Sequence, residues 1–189
     1  MSIETSLPAP EAVAALAARI DRPLVLVGMM GVGKSTVGKK LAAVLGFRFA
    51  DADEEIVGAA HMPIADIFDA FGEEYFRDGE RRVISRLLEG KGGGCVIATG
   101  GGAFVQDETR ALILEKGIAI WLDSDVETLV ERVSRNDKRP LLRGGDKREI
   151  VTRMREARAP FYSLAPIHIM TDRGPHTDAV ARILEALDK

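Results

Sequence analysis

Short, largely apolar runs alternate with amphipathic stretches along this chain. The apolar runs fall at 24–27, 47–50, 95–98, 118–122 and 167–170. Runs of that length and content predict strands covered on both faces. Between them apolar positions recur at spacings of three and four: Val37, Leu41, Val44; Ile64, Ile67, Phe68, Phe71; Val83, Ile84, Leu87, Leu88; Val126, Leu129, Val130, Val133; and Val180, Ile183, Leu184, Leu187. That is the period of a helix with one buried face. Ahead of the first strand, Pro8 and Pro10 introduce a further helix with the stripe Val13, Leu16, Ala17 and Ile20. Alternation of strand and helix predicts an α/β fold: a parallel sheet with right-handed crossovers and helices on both faces. Ligands of such sheets bind beyond the carboxyl ends of the strands. No internal repeat or linker interrupts the pattern, so residues 23–189 read as one domain and residues 1–22 as an N-terminal helical extension.

Composition narrows the class. The 189 residues are 46% hydrophobic and 29% charged, enough for a packed core without covalent staples. A single cysteine, Cys95, excludes a disulfide framework and a Cys-rich zinc site, and His61, His168 and His176 lack metal-site spacing. No run approaches the roughly 20 apolar residues of a membrane span. Glu4 and Glu11 stand where an export signal would be basic. A cytoplasmic protein that meets neither membrane nor export machinery is expected. The net charge of −3 argues against coating nucleic acid, yet residues 132–158 carry a net +6, leaving −9 for the rest. A basic island of this kind is either a solvated helical face or a counterpart to an anionic ligand.

Directly after the first strand stands Gly28-Met29-Met30-Gly31-Val32-Gly33-Lys34-Ser35, which satisfies G-x-x-x-x-G-K-[ST] between a strand and a helix. Its glycines turn backbone N–H groups around phosphate oxygens, Lys34 reaches the outer phosphates and the Ser35 hydroxyl suits magnesium. The base reader of a GTP switch is absent, because Asn136-Asp137-Lys138 has the right letters in the wrong order. Asp123 is followed by Ser124 rather than by the second carboxylate of an ATPase motor, and reads either as the cap of the next helix or as a magnesium partner.

The remaining signals suit an organic acceptor. Asp51 and Asp53 follow the second strand and would share a side if that strand continued, one holding a metal-bound water and the other taking a hydroxyl proton. A helix N-terminus compensating its dipole explains the same residues equally well. In Phe76-Arg77-Asp78-Gly79-Glu80, Arg77 offers a fork for a carboxylate, and Glu80 lies three residues on, where it could steer that fork. Thr99-Gly100-Gly101-Gly102 follows the third strand and permits close backbone approach.

Together these residues resemble the shikimate kinase family, from about Leu24 to the C-terminus and without a large insertion. The resemblance implies a five-stranded parallel sheet of order 2-3-1-4-5 flanked by helices, with a lid at about 136–147 and an acceptor-binding part at about 53–90. It implies ATP and Mg2+ as cofactors and transfer of phosphate to the 3-hydroxyl of shikimate, a step towards aromatic amino acids. By the same resemblance Gly31, Val32, Gly33, Lys34, Ser35 and Thr36 bind ATP, and Arg132 and Arg173 flank its adenine. Ser35 holds the metal directly and Asp51 through water. Asp53 holds the acceptor hydroxyl, as general base or by orientation alone. Arg77 and Arg158 bind the carboxylate, Gly100, Gly101 and Gly102 line the acceptor, and Phe68 and Phe76 form an apolar wall. Arg139, in Arg139-Pro140-Leu141-Leu142, is the lid arginine and joins Asp53 and Lys34 as a catalytic candidate. Departures from the family pattern are Phe161 in place of Leu and His61-Met62-Pro63 in place of a Gly-x-Ser run. A monomer that binds no nucleic acid is expected. The rival readings are another small-metabolite kinase, such as a gluconate kinase, and a non-catalytic nucleotide-binding module.

Overall fold

The computed structural model describes residues 7–90, 94–134, 145–171 and 173–189. In chain order its elements are α1 (Pro10–Arg19), β1 (Leu24–Val27), α2 (Lys34–Leu45), β2 (Arg48–Asp51), α3 (Ala52–Ala60), α4 (Ile64–Leu88), β3 (Cys95–Ala98), a 3-10 turn (Ala103–Val105), α5 (Asp107–Lys116), β4 (Ile118–Asp123), α6 (Val126–Ser134), α7 (Lys147–Tyr162), β5 (Ile167–Met170) and α8 (His176–Leu187). The five strands form one parallel sheet of order β2-β3-β1-β4-β5. All four residues of β1 and of β3 are buried, which is why both read as unbroken apolar runs.

Two sequence boundaries move. The second strand is Arg48–Asp51 rather than 47–50, in register from Arg48 opposite Cys95 to Asp51 opposite Ala98. It ends at Asp51, and α3 begins at the next residue, so Asp53 lies in the first turn of a helix and not on a strand that continues. The apolar stripes at 64–71 and 83–88 belong to one long element, interrupted at Gly72, whose φ of 81° few other residues would accept. His61 closes α3 with φ 53°, a left-handed turn that glycine usually takes.

The main core lies on both faces of the sheet and includes Val13 and Leu16 of α1, so the N-terminal helix is packed into the domain against α2 and α8. A second cluster, Ile56, Ile67, Phe76 and Val83, joins α3 to α4 and gives this pair of helices its own small core. Among the described residues no helix is long and apolar enough to cross a membrane.

Candidate active site

The carboxyl ends of β1, β2 and β3 open into a cleft of about 620 Å³, lined from Gly33 of the phosphate loop to Gly101 of the glycine triplet. Its volume is that of a pocket for small ligands. A smaller cavity of about 260 Å³ between α3 and α4 is mainly apolar and lacks the converging polar groups a phosphate-transfer site needs.

The loop at the donor end takes its shape from backbone geometry. Gly28 has φ 136° and a Cβ there would fall 2.2 Å from the Leu122 carbonyl, while Gly33 has φ 101° and leads into α2. Both positions disfavour a side chain, and the amino end of α2 lines the cleft with Gly33, Lys34, Ser35 and Thr36. Lys34, nine-tenths buried, donates from Nζ to the carbonyl oxygens of Gly28 (2.8 Å) and Met29 (2.9 Å), which holds the ammonium over the loop. Ser35 Oγ donates to Asp51 Oδ2 at 2.5 Å. The other carboxylate oxygen of Asp51 accepts from the N–H groups of Asp53 (3.0 Å) and Glu54 (3.5 Å), so Asp51 is the N-cap of α3 while it faces the phosphate loop. The capping reading of this aspartate therefore holds, and its second oxygen is turned to Ser35.

At the acceptor end each residue of the glycine triplet meets a different functional side chain. A Cβ on Gly100 would stand 2.9 Å from Asp53 Oδ1 and 3.0 Å from Glu80 Oε1. One on Gly101 would stand 3.3 Å from Arg158 Nη1, and one on Gly102 only 2.5 Å from Arg77 Nη2. Three glycines in a row are needed because Asp53, Glu80, Arg77 and Arg158 crowd onto that backbone. Arg77 Nη1 donates to Glu80 Oε2 at 2.8 Å, and its other edge donates to the exposed Glu73 at 3.3 Å. Glu80 is 1% exposed, and burial pushes its carboxyl above the ordinary value, Arg77 pulling it back and Asp53 pushing it further up. Arg158 Nη1 donates to the Gly101 carbonyl at 3.2 Å, and the Tyr162 hydroxyl donates to the same oxygen. Burial holds the Tyr162 phenol up at about 12, so it stays protonated as a donor.

Phe68 and Phe76 pack ring to ring at 4.4 Å, with Arg77 stacked 5.2 Å over Phe76, so the pair backs Arg77; the apolar groups on the cleft itself are Met30 and Ile64. Thr36 and Arg132 line the donor end, Arg132 donating to the Val32 carbonyl at 3.1 Å. Arg173 is exposed on the loop before α8 and pairs with Glu131 at 3.6 Å. Arg139 lies outside the described residues.

Asp123 does not cap α6. That cap is Asp125, whose carboxylate accepts from the N–H (2.8 Å) and hydroxyl (2.7 Å) of Thr128. Asp123 is instead buried and gripped by Arg155 of α7. Sequence reasoning also passes over His176, which lines the cleft beside Gly33 and Arg132. Burial, then the neighbouring charges of Arg132 and Lys40, hold its imidazole below the ordinary value. No motif contains it; only its position at the head of α8, next to the phosphate loop, reveals it.

Ser35 Oγ and Asp51 Oδ2 supply hard oxygen donors side by side, the donor set that magnesium takes alongside substrate phosphates. Among the described residues no group of three or more His, Cys, Asp or Glu could hold a metal.

Comparison with known proteins places this arrangement. A family model described as shikimate kinase matches residues 30–188. The shikimate kinase of Novosphingobium aromaticivorans is 62% identical over 174 residues, covering 90% of this chain and 90% of that protein. The shikimate kinase of Caulobacter vibrioides is 55% identical over 166 residues, covering 88% and 82%. Among solved structures, the shikimate kinase from Acinetobacter baumannii in complex with shikimate superposes with a TM-score of 0.84 at 34% identity, covering 95% of this chain and 97% of that one.

Proposed function

The chain belongs to the shikimate kinase family and transfers phosphate from ATP to shikimate, and we propose that the cleft between the phosphate loop and the glycine triplet is where it does so. Family membership removes the gluconate kinase and the non-catalytic nucleotide-binding readings.

Gly31, Val32, Gly33 and Thr36 cradle the phosphates, Lys34 neutralises the outer ones, and Arg132 and Arg173 sit on either side of the adenine. The observation that carries the acceptor assignment is the convergence of Asp53, Arg77 and Arg158 on Gly100, Gly102 and Gly101. Arg77, aimed by the buried Glu80, and Arg158 bind the shikimate carboxylate with charge-assisted hydrogen bonds. The exposed Glu73 is the partner on Arg77 that an incoming carboxylate displaces, because Glu80 stays fixed in the interior. Phe68 and Phe76 keep the Arg77 side dry.

With the carboxylate held, the 3-hydroxyl faces Asp53. The hydroxyl oxygen, oriented by Asp53, forms a bond to the γ-phosphorus as the bond to the β,γ-bridging oxygen breaks, and the hydroxyl proton leaves either to Asp53 during the transfer or to solvent after it. Positioning and charge neutralisation do most of the work in such a transfer. Mg2+, held by Ser35 directly and by Asp51 through water, would neutralise charge on the β- and γ-phosphates. The buried, unpaired thiol of Cys95 fits the cytoplasm.

The test is an assay of ADP release with shikimate, gluconate or no acceptor. ADP released only with shikimate is the expected outcome; release that is equal without any acceptor would overturn the reading.

A further inference from the structure

Three side chains on one face of α7, at spacings of three and four, anchor that helix: Arg155, Arg158 and Tyr162. Arg158 and Tyr162 both donate to the Gly101 carbonyl. Arg155 reaches the end of β4, where Nη2 donates to Asp123 Oδ2 at 2.8 Å and Nε to Asp123 Oδ1 at 3.2 Å. Asp123 is 4% exposed and held from every other side. Its Oδ1 also accepts from the Ser124 N–H at 2.8 Å, and His168 Nε2 stands 3.4 Å from Oδ2. Its carbonyl accepts from the N–H (2.7 Å) and hydroxyl (2.9 Å) of Thr171. His168 stacks on Trp121 at 3.9 Å, and Trp121 packs against Tyr162 at 5.9 Å, which ties the two anchors together.

We propose that the pair between the buried Asp123 and the half-buried Arg155 is a positioning device that sets where Arg158 stands over Gly101, and with it the seat of the acceptor carboxylate. The inference rests on Arg158 being a ligand of that carboxylate, as proposed above. Two physical arguments support it. An ion pair with one member buried and the other partly exposed to solvent adds little net stability, whereas a two-point fork fixes the angle of the helix that carries it. Pro160 lies between Arg158 and Tyr162 and removes one backbone hydrogen bond from α7, so backbone alone holds this turn weakly and side-chain anchors must place it.

The test compares Arg155→Met, Asp123→Asn and Arg158→Ala by steady-state kinetics with each substrate varied, alongside thermal unfolding. The expected result for Arg155→Met is a KM for shikimate raised about tenfold, the scale of one lost charge-assisted contact, with the KM for ATP unchanged. Asp123→Asn, which keeps the shape and removes the charge, should shift the same constant in the same direction if Arg155→Met fails to fold. In the Arg158→Ala background Arg155→Met should raise the KM for shikimate no further, because the group it positions is gone. A lower unfolding temperature with both KM values unchanged in both single variants would make the pair merely structural and overturn the proposal. If Arg158→Ala itself leaves the KM for shikimate unchanged, the acceptor reading fails instead, and the two failures are distinct.

Discussion

Ser35 Oγ lies 2.5 Å from Asp51 Oδ2, so the last residue of the phosphate-loop motif is joined to the last residue of β2. This contact couples donor and acceptor ends of one cleft, and it is where the metal dependence should reside. Asp51→Asn keeps the cap on α3 but loses the charge, so the magnesium concentration for half-maximal turnover should rise. Turnover measured against magnesium checks this. A shift in Asp53→Asn but not in Asp51→Asn would reverse the roles of the two aspartates.

Gly102→Ala would place a methyl group 2.5 Å from Arg77 Nη2. Arg77 must then move, and loss of a charge-assisted contact of about 1.5–3 kcal/mol should raise the KM for shikimate about 10- to 150-fold. Gly58→Ala, where nothing lies within 4 Å, is the control and should leave it unchanged. Steady-state kinetics on both variants decide; equal effects would deny the triplet its special fit.

His176 should titrate below its ordinary value of 6.5, because the folded site disfavours its charged form. The unfolded chain then binds more protons as pH falls below that value, so this residue costs stability on the acid side and nothing well above it. ATP phosphates beside it should raise its midpoint. An NMR titration of the imidazole, with and without ATP, tests both signs; a midpoint above 6.5 in the free protein would contradict the burial argument.

Asp53→Asn separates the two roles open to that carboxylate. If Asp53 takes the hydroxyl proton, the amide should lower turnover about 10²- to 10⁴-fold, with a smaller effect on the KM for shikimate. If it only orients the hydroxyl, the loose transition state needs little proton removal early and most of the rate survives. Turnover with both substrates saturating reads the difference.

The centre of the sheet is legible in the chain because β1 and β3 are covered on both faces and their residues are apolar throughout, whereas the edge strand β2, with Arg48 and Asp51 and no buried residue, is read one position out of place. The phosphate loop is legible because its glycines answer to backbone demands, φ 101° at Gly33 among them. Helix α7 is not legible by the same means. Its inward side mixes Val151 and Met154 with Arg155, Arg158 and Tyr162, so the hydrophobic period is broken by polar anchors and a surplus of positive charge is the stronger signal. Part of that surplus is surface pairing, as between Arg148 and Glu127, and part is the site itself. Asp123 is misread for a related reason: at the end of a strand, aspartates two residues apart compete for the cap, and only the burial of Asp123 against Arg155 distinguishes them.

The account stands most directly on Arg77 and Arg158 as carboxylate ligands. Steady-state kinetics of Arg77→Ala and Arg158→Ala, with shikimate and ATP varied in turn, test this in one experiment. The predicted result is a KM for shikimate raised about 10- to 150-fold in each variant, with the KM for ATP unchanged. A raised KM for ATP with the KM for shikimate at its wild-type value would contradict it.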